Sequence, residues 1–336
     1  MMSRRKILVL IVLTGIAAFV LAACAGQVGL TGPAGPTGAQ GEQGPAGSEA
    51  SVPDLSCKEC HNDTTKITGK KTAWSESRHG SGEAFSRGTS SSCAGCHSGG
   101  GFSTRIAAGL NPDEVEVGDP NPTRQDCRAC HQIHTTFTGE DFALETTDPV
   151  TLYATGGTFD GGKGNLCANC HQTRRAISLY PPDSDGNIEV NSTHWGPHHG
   201  GEAPMLMGLG GAGVEGSPSG HALAVEDTCV TCHLGEDKSH TFEPDDSTCT
   251  ACHVDAEDFD INGVQTRIEE LGAEVLELLE AKGMYDDHPV IGFYPEAEAQ
   301  ALWNYLFVIE EDTSKGVHNS KYAIALLEAA VEALGE

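Results

Sequence analysis

The side chains able to do chemistry in this chain are thiols and imidazoles, and they recur in one arrangement. Six times a Cys-x-x-Cys pair is followed at once by histidine: Cys57/Cys60/His61, Cys93/Cys96/His97, Cys127/Cys130/His131, Cys167/Cys170/His171, Cys229/Cys232/His233 and Cys249/Cys252/His253. This is the pattern of covalent haem attachment, in which both sulfurs form thioethers to the porphyrin and the adjacent histidine ligates the iron from one face. A zinc site needs only the paired thiols, and gives no reason for a histidine after every pair. A redox dithiol or an iron–sulfur cluster gives none either. The motifs use 12 of the 13 cysteines, which leaves Cys24 and no disulfide to form. The cofactor reading is therefore six haem c groups and their irons.

Each iron has two axial positions, and the motif histidines fill one apiece. Six further ligands are wanted, and nine histidines remain: His79, His134, His194, His198, His199, His221, His240, His288 and His318. Methionine is the competing ligand and raises the potential. Of the five methionines only Met205, Met207 and Met284 lie beyond the leader, so bis-histidine ligation and low potentials are expected. His134 follows His131 by three residues, which on a helical turn puts both on one side. Two ligands of one iron must approach from opposite faces, so His134 is expected to serve a neighbouring haem.

These groups need a scaffold, and composition says which kind. With 38 % hydrophobic and 6 % aromatic residues and 42 glycines, the chain has a thin supply of ordinary core. The expected fold is mainly α with much irregular loop and few strands, wrapped around a haem core, and the chain is not expected to fold without haem. The motifs lie within residues 51–257, each expected at the start of a helical turn, with Gly, Pro, Asn and Asp scattered between them. Gly208-x-Gly210-x-x-Gly213 has no strand signal before it and no long helix after it, so it reads as a flexible loop beside a haem rather than a dinucleotide site. Beyond Asp258 the pattern becomes helical. Val264, Ile268, Leu271, Val275, Leu278 and Leu279 form one stripe; Ala301, Leu302, Tyr305, Leu306 and Ile309 a second, entered at Pro295; Tyr322, Ile324, Leu327, Ala330 and Val331 a third, starting near Ser320. Residues 258–336 are thus a C-terminal helical region packed on the haem core.

Residues 1–23 carry Arg4, Arg5 and Lys6, then an apolar run from Ile7 to Ala23, and read as an export signal. Leu21-Ala22-Ala23-Cys24 resembles a lipoprotein lipobox, which makes Cys24 the lipidation site; an uncleaved membrane anchor is the alternative. Ala25 after the cysteine resembles lipoproteins sorted to the outer membrane. Glycine then falls at every third position from Gly29 to Gly47 with Pro33, Pro36 and Pro45 between, the collagen period. Residues 24–50 are either a short triple-helical segment, implying a homotrimer, or a tether. Removing the leader changes the net charge from −28 to −31, with 17 basic against 48 acidic residues. Such a chain repels nucleic acid and anionic lipid, and its acidic surface is either simply solvated or steers it toward basic patches on partner redox proteins.

The haem region resembles the multihaem c-type cytochromes of metal-reducing and other respiring bacteria. The resemblance rests on the motifs and on Ser77-Arg78-His79-Gly80, Cys127 through His134, His194-Trp195-Gly196-Pro197-His198-His199-Gly200, Ser219-Gly220-His221 and Ser239-His240-Thr241-Phe242. Gly316-Val317-His318-Asn319 resembles the C-terminal part of the cytochrome c nitrite reductase superfamily. The resemblance implies distal ligands at His79, His134, one of His198 and His199, His221, His240 and His318, leaving His194 and His288 over. Nitrite reductases of that superfamily have lysine in their catalytic motif, whereas all six motifs here end in histidine. No catalytic residue is assigned. The expected function is electron transfer through bis-histidine haems at the outer membrane, its periplasmic face or the cell surface, toward another redox protein or an extracellular acceptor. The rivals are a reductase of nitrite, hydroxylamine or a similar oxyanion at one open haem, and a filament-forming cytochrome subunit.

Overall fold

Each described attachment motif sits on about one turn of helix. In the computed structural model, which describes residues 65–335, short helices α1 (Thr65–Glu76), α2 (Arg78–Ser81), α3 (Ser91–His97), α4 (Gly99–Ala108), α5 (Cys127–Cys130), α6 (Asn165–Ala168), α7 (Glu202–Met207), α8 (Gly220–Ala224) and α9 (Cys229–Leu234) are joined by loops and 3-10 turns. Motifs two to five start on α3, α5, α6 and α9, and Cys249 of the sixth lies in the 3-10 turn Asp246–Ala251, with Cys252 as the residue that ends it. One turn brings the two cysteines of Cys-x-x-Cys to the same side. The caps then end it: around α5 the Asp126 side chain accepts from Arg128 N, and His131 is already extended (φ −126°, ψ 147°). The first motif, the leader, Cys24 and the glycine repeat lie outside the described residues.

The strands are few and short, in three two-stranded antiparallel ladders. β1 (Val150–Leu152) pairs with β2 (Gly157–Phe159), β3 (Asn187–Val190) with β6 (Gly292–Pro295), and β4 (Tyr285–Asp286) with β5 (His288–Pro289). In the β3–β6 ladder Val190 faces Gly292 and Asn187 faces Pro295, so the chain entering the His194–His199 loop is tied to the C-terminal region.

That region follows the sequence periodicity. Helix α10 (Val264–Ala281) buries Ile268, Leu271, Val275 and Leu279, and α11 (Glu296–Tyr305) begins directly after Pro295. Helix α12 (Ser320–Gly335) buries Tyr322, Ala323, Leu326, Leu327, Ala330 and Leu334 and packs on both α10 and α11. Between α11 and α12 the chain widens into a π-helix, Leu306–Asp312, an irregularity often found at functional sites. No helix among the described residues is long and apolar enough to cross a membrane.

The fold is mainly α with much loop and few strands, as expected, and the thin side-chain core read from composition is corrected only for the C-terminal region. Ile268, Leu302, Trp303, Phe307 and Leu326 belong to one continuous side-chain core reaching back to Ile188, Val190 and Trp195. The thin average composition concealed it because the apolar residues are concentrated after residue 264. The unmatured, haem-free chain should accordingly keep helical far-UV signal and slow amide exchange over residues 264–335 while residues 91–257 exchange freely. Uniformly fast exchange would show that this core does not stand without haem.

Candidate functional site

Two imidazoles on one iron, each bonded at about 2.0–2.1 Å, place their ring centroids about 6.3 Å apart. Four pairs in the structure have this span: His79 and His171 at 6.1 Å, His131 and His240 at 6.3 Å, His221 and His253 at 6.2 Å, His233 and His318 at 6.4 Å. Every pair joins one motif histidine to one of the predicted distal ligands. For the second motif, Cys93, Cys96 and His97 line one cleft together with His198, His199 and Tyr153. Among the described residues no three His, Cys, Asp or Glu side chains converge as a metal cage. Imidazoles instead meet in twos, the number of positions a porphyrin leaves open. The ten described motif cysteines are free thiols, available for thioether formation. The residues therefore fit haem c.

Of the described attachment cysteines, Cys127 of motif three and Cys252 of motif six are exposed. Cys252 is exposed because it closes a surface turn: Ala251 before it is exposed, and so is Val254 just beyond it. Cys127 opens α5 directly after its cap, Asp126. A thioether at a haem edge does not require burial, so the exposure of these two thiols is compatible with attachment.

Span alone does not identify a site, because His194 and His288, which follow no thiol pair, also lie 6.0 Å apart. The anchoring of the ring is more selective, since a ligating histidine donates its second N–H to a carboxylate or carbonyl. His131 Nδ1 donates to Phe142 O (2.8 Å), His221 to Val317 O (2.8 Å), His233 to Phe242 O (2.9 Å) and His240 to Lys238 O (2.9 Å). Three others donate to carboxylates: His171 to Glu202 Oε1 (3.0 Å), His199 to Glu311 Oε2 (3.0 Å) and His318 to Asp312 Oδ1 (2.6 Å). Each bond leaves Nε2 as the free ligand atom. Among the described residues His79, His97, His198 and His253 have no such ring bond, but each of the four motif pairs has at least one anchored ring, whereas neither His194 nor His288 has one.

The carboxylates shape the local field. Glu202 pushes the His171 imidazole up to about 9. Burial opposes a charged ring at His318, yet Asp312 prevails and raises it to about 9 as well. His79 and His198 have no carboxylate, and burial, then a neighbouring histidine, draws each down to about 4.

Local structure explains how these rings are placed. The Ser77 hydroxyl accepts from Gly80 N and starts α2, which carries His79, and a Cβ at Gly80 would stand 2.1 Å from Trp74 O. Ser219 likewise caps α8 ahead of His221. Trp195 is buried against Trp303 (5.2 Å between rings) and fixes the loop running to His198 and His199. Asn319, next to His318, donates to Met205 O (3.1 Å) and Ser217 O (2.9 Å).

Two further expectations are corrected. His131 and His134 do not share a helical turn: α5 has ended, His131 bridges to Leu144, and His134 has φ +65° in a loop organised by Asp141. Asp141 Oδ2 accepts from His134 N (2.8 Å) and Oδ1 from Thr136 N (2.6 Å). His131 faces His240 for this reason, not because of helical geometry. The glycine loop after α7 is held rather than free, since Trp303 Nε1 donates to Gly210 O (2.8 Å) and the Asn304 amide bonds both N–H and C=O of Ala212.

Motif four is the hub. The Cys170 thiol lies beside Cys96 of motif two, and Cys167 beside Cys229 of motif five. Arg105, 2 % exposed, crosses the same junction: Nε donates to Gly95 O (3.1 Å) and Nη2 to Asn169 O (3.1 Å), carbonyls inside motifs two and four. Arg105, Glu202, Glu311 and Asp312 contact the motifs or the candidate ligands, and sequence reasoning missed them because no local pattern marks the arginine, or the three carboxylates among 48 acidic residues.

No protein-family model and no curated protein matches the chain. Among solved structures it is similar to the crystal structure of the outer cell wall cytochrome OcwA, at 23 % identity and a TM-score of 0.49, over 79 % of this chain and 50 % of that one. The chain thus spans about half the length of that cytochrome.

Proposed function

We propose that this chain is an exported hexahaem electron-transfer cytochrome with bis-histidine ligation. The observation that carries the reading is the meeting of four motif histidines with separate histidines at the span of one iron, at least one ring of each pair being anchored by a carbonyl or carboxylate. The ligand pairs are His171 with His79, His131 with His240, His233 with His318, His253 with His221, and His97 with one of His198 and His199. His134 is left for the haem of Cys57, Cys60 and His61. When bound, haem supplies a one-electron couple at each position; the protein supplies attachment, ligation and local charge. Lipidation at Cys24 would hold the chain at an outer membrane. Its acidic surface would meet basic patches on a redox partner or present the haems to an extracellular acceptor.

The test is the matured protein. It should carry six haems per chain and give only low-spin ferric signals in electron paramagnetic resonance. A substantial high-spin signal in the unaltered protein would sink full bis-histidine ligation and return an open iron to consideration. His134→Ala should convert one haem in six to high spin, and the motif-one double variant Cys57→Ala/Cys60→Ala should abolish that new signal.

A further inference from the structure

The ring anchors divide the haems into two groups. Those of motifs three and six are held through carbonyls alone: Phe142 and Lys238 for His131 and His240, and Val317 for His221. Those of motifs two, four and five each have a ligand bonded to a carboxylate. Glu202, Glu311 and Asp312 are sheltered, with side chains 27 %, 15 % and 0 % exposed, so water screens them weakly. The second oxygen of Glu202 is buried without a hydrogen-bond partner, which leaves its charge to act on its surroundings. Glu311 and Asp312 are consecutive residues at the end of the π-helix, and the widened turn sends them to ligands of different haems.

A carboxylate accepting from Nδ1–H makes the imidazole a stronger donor, and its negative charge favours the ferric over the ferrous iron. Arg105 opposes this beside motifs two and four, where it is bonded to the backbone of both. Motif five has the fully buried Asp312 and no such cation. We propose that Glu202, Glu311 and Asp312 are tuning residues that set the haems of motifs two, four and five below those of motifs three and six, with motif five lowest. The inference rests on the hexahaem reading and adds a direction to it: electrons entering the motif-four hub leave downhill toward motifs three and six. It also assigns His199, the ring held by Glu311, rather than His198, as the ligand opposite His97.

The experiment is a spectropotentiometric titration of the matured full chain against Glu202→Gln, Glu311→Gln and Asp312→Asn, with resonance spectra of each. The amides preserve shape and a hydrogen-bond acceptor but remove the charge. Each should raise the potential of one low-potential haem by about 59 mV, a tenfold change in its ferric-to-ferrous ratio, with Asp312→Asn moving the bottom of the curve and every haem still low-spin. Glu310→Gln, the same charge change at the neighbouring residue whose carboxylate meets Tyr285, should leave the curve in place. Unchanged curves, or equal shifts from Glu310→Gln and Glu311→Gln, overturn the proposal. So does a high-spin signal from His198→Ala with none from His199→Ala. If Asp312→Asn does not mature, the Glu202 and Glu311 variants decide. Failure of the parent reading is separate, because it appears as high-spin haem in the unaltered protein.

Discussion

Replacing Cys167 and Cys170 by alanine is expected to do more damage than removing any other described attachment motif. The cysteines of motif four lie beside those of motifs two and five, His171 faces His79 on one side and Glu202 on the other, and Arg105 ties the Asn169 carbonyl to Gly95. Without this haem, tunnelling between motifs two and five must cross the space of the missing cofactor, and tunnelling rates fall exponentially with distance. Reduction of the matured variant by a fast donor should split into a rapid phase and one slower by orders of magnitude, with five haems retained. The comparison is Cys127→Ala/Cys130→Ala: Cys127 is exposed, so the loss of motif three should remove one haem and leave the rest reducing in one phase. Equal behaviour of the two variants would show that motif four is not the junction.

How much of this was legible in the sequence depends on how local the chemistry is. Haem attachment is written in five consecutive residues, so Cys93 through His97 or Cys229 through His233 could be read without a fold. Whether a motif lies inside the array or at its rim is not local, and the exposure of Cys127 and Cys252 had no sequence signal. Ile268, Leu271, Val275 and Leu279 were legible because a helix repeats its buried face every three or four residues. The partner of an iron is again not local. Nothing near His131 points to His240, and the one local inference, a shared turn with His134, failed because Asp126 caps a helix that ends at Cys130. The carboxylate anchors were illegible for another reason: Glu311 and Asp312 reach different ligands only because the backbone widens at Leu306–Asp312, and the apolar stripe there reads as ordinary α-helix. The glycines at 208, 210 and 213 were seen as freedom; in the structure they let the chain pass close under Trp303 and Asn304, with Gly210 at φ +95°.

Trp303→Ala should produce the largest loss of stability available from one side chain in the C-terminal region. Trp303 is wholly buried, packs edge-on against Trp195 at 5.2 Å and against Tyr180 at 6.0 Å, and donates from Nε1 to Gly210 O. Truncating a large buried aromatic side chain costs about 3–5 kcal/mol, and the orphaned carbonyl adds about 1 kcal/mol. The guanidinium midpoint of the matured protein should therefore fall at an unchanged slope, whereas Phe293→Ala, at a side chain 63 % exposed, should move it by no more than about 0.5 kcal/mol. The consequence reaches the haems through Trp195, which Trp303 holds in place ahead of Gly196, Pro197, His198 and His199. As Trp303→Ala loosens that loop, the haem of motif two should turn high-spin at a temperature where the haem of motif three, whose ligands His131 and His240 have no part in this packing, stays low-spin. If both changed together, the C-terminal core would be supporting the whole haem array rather than the His194–His199 loop.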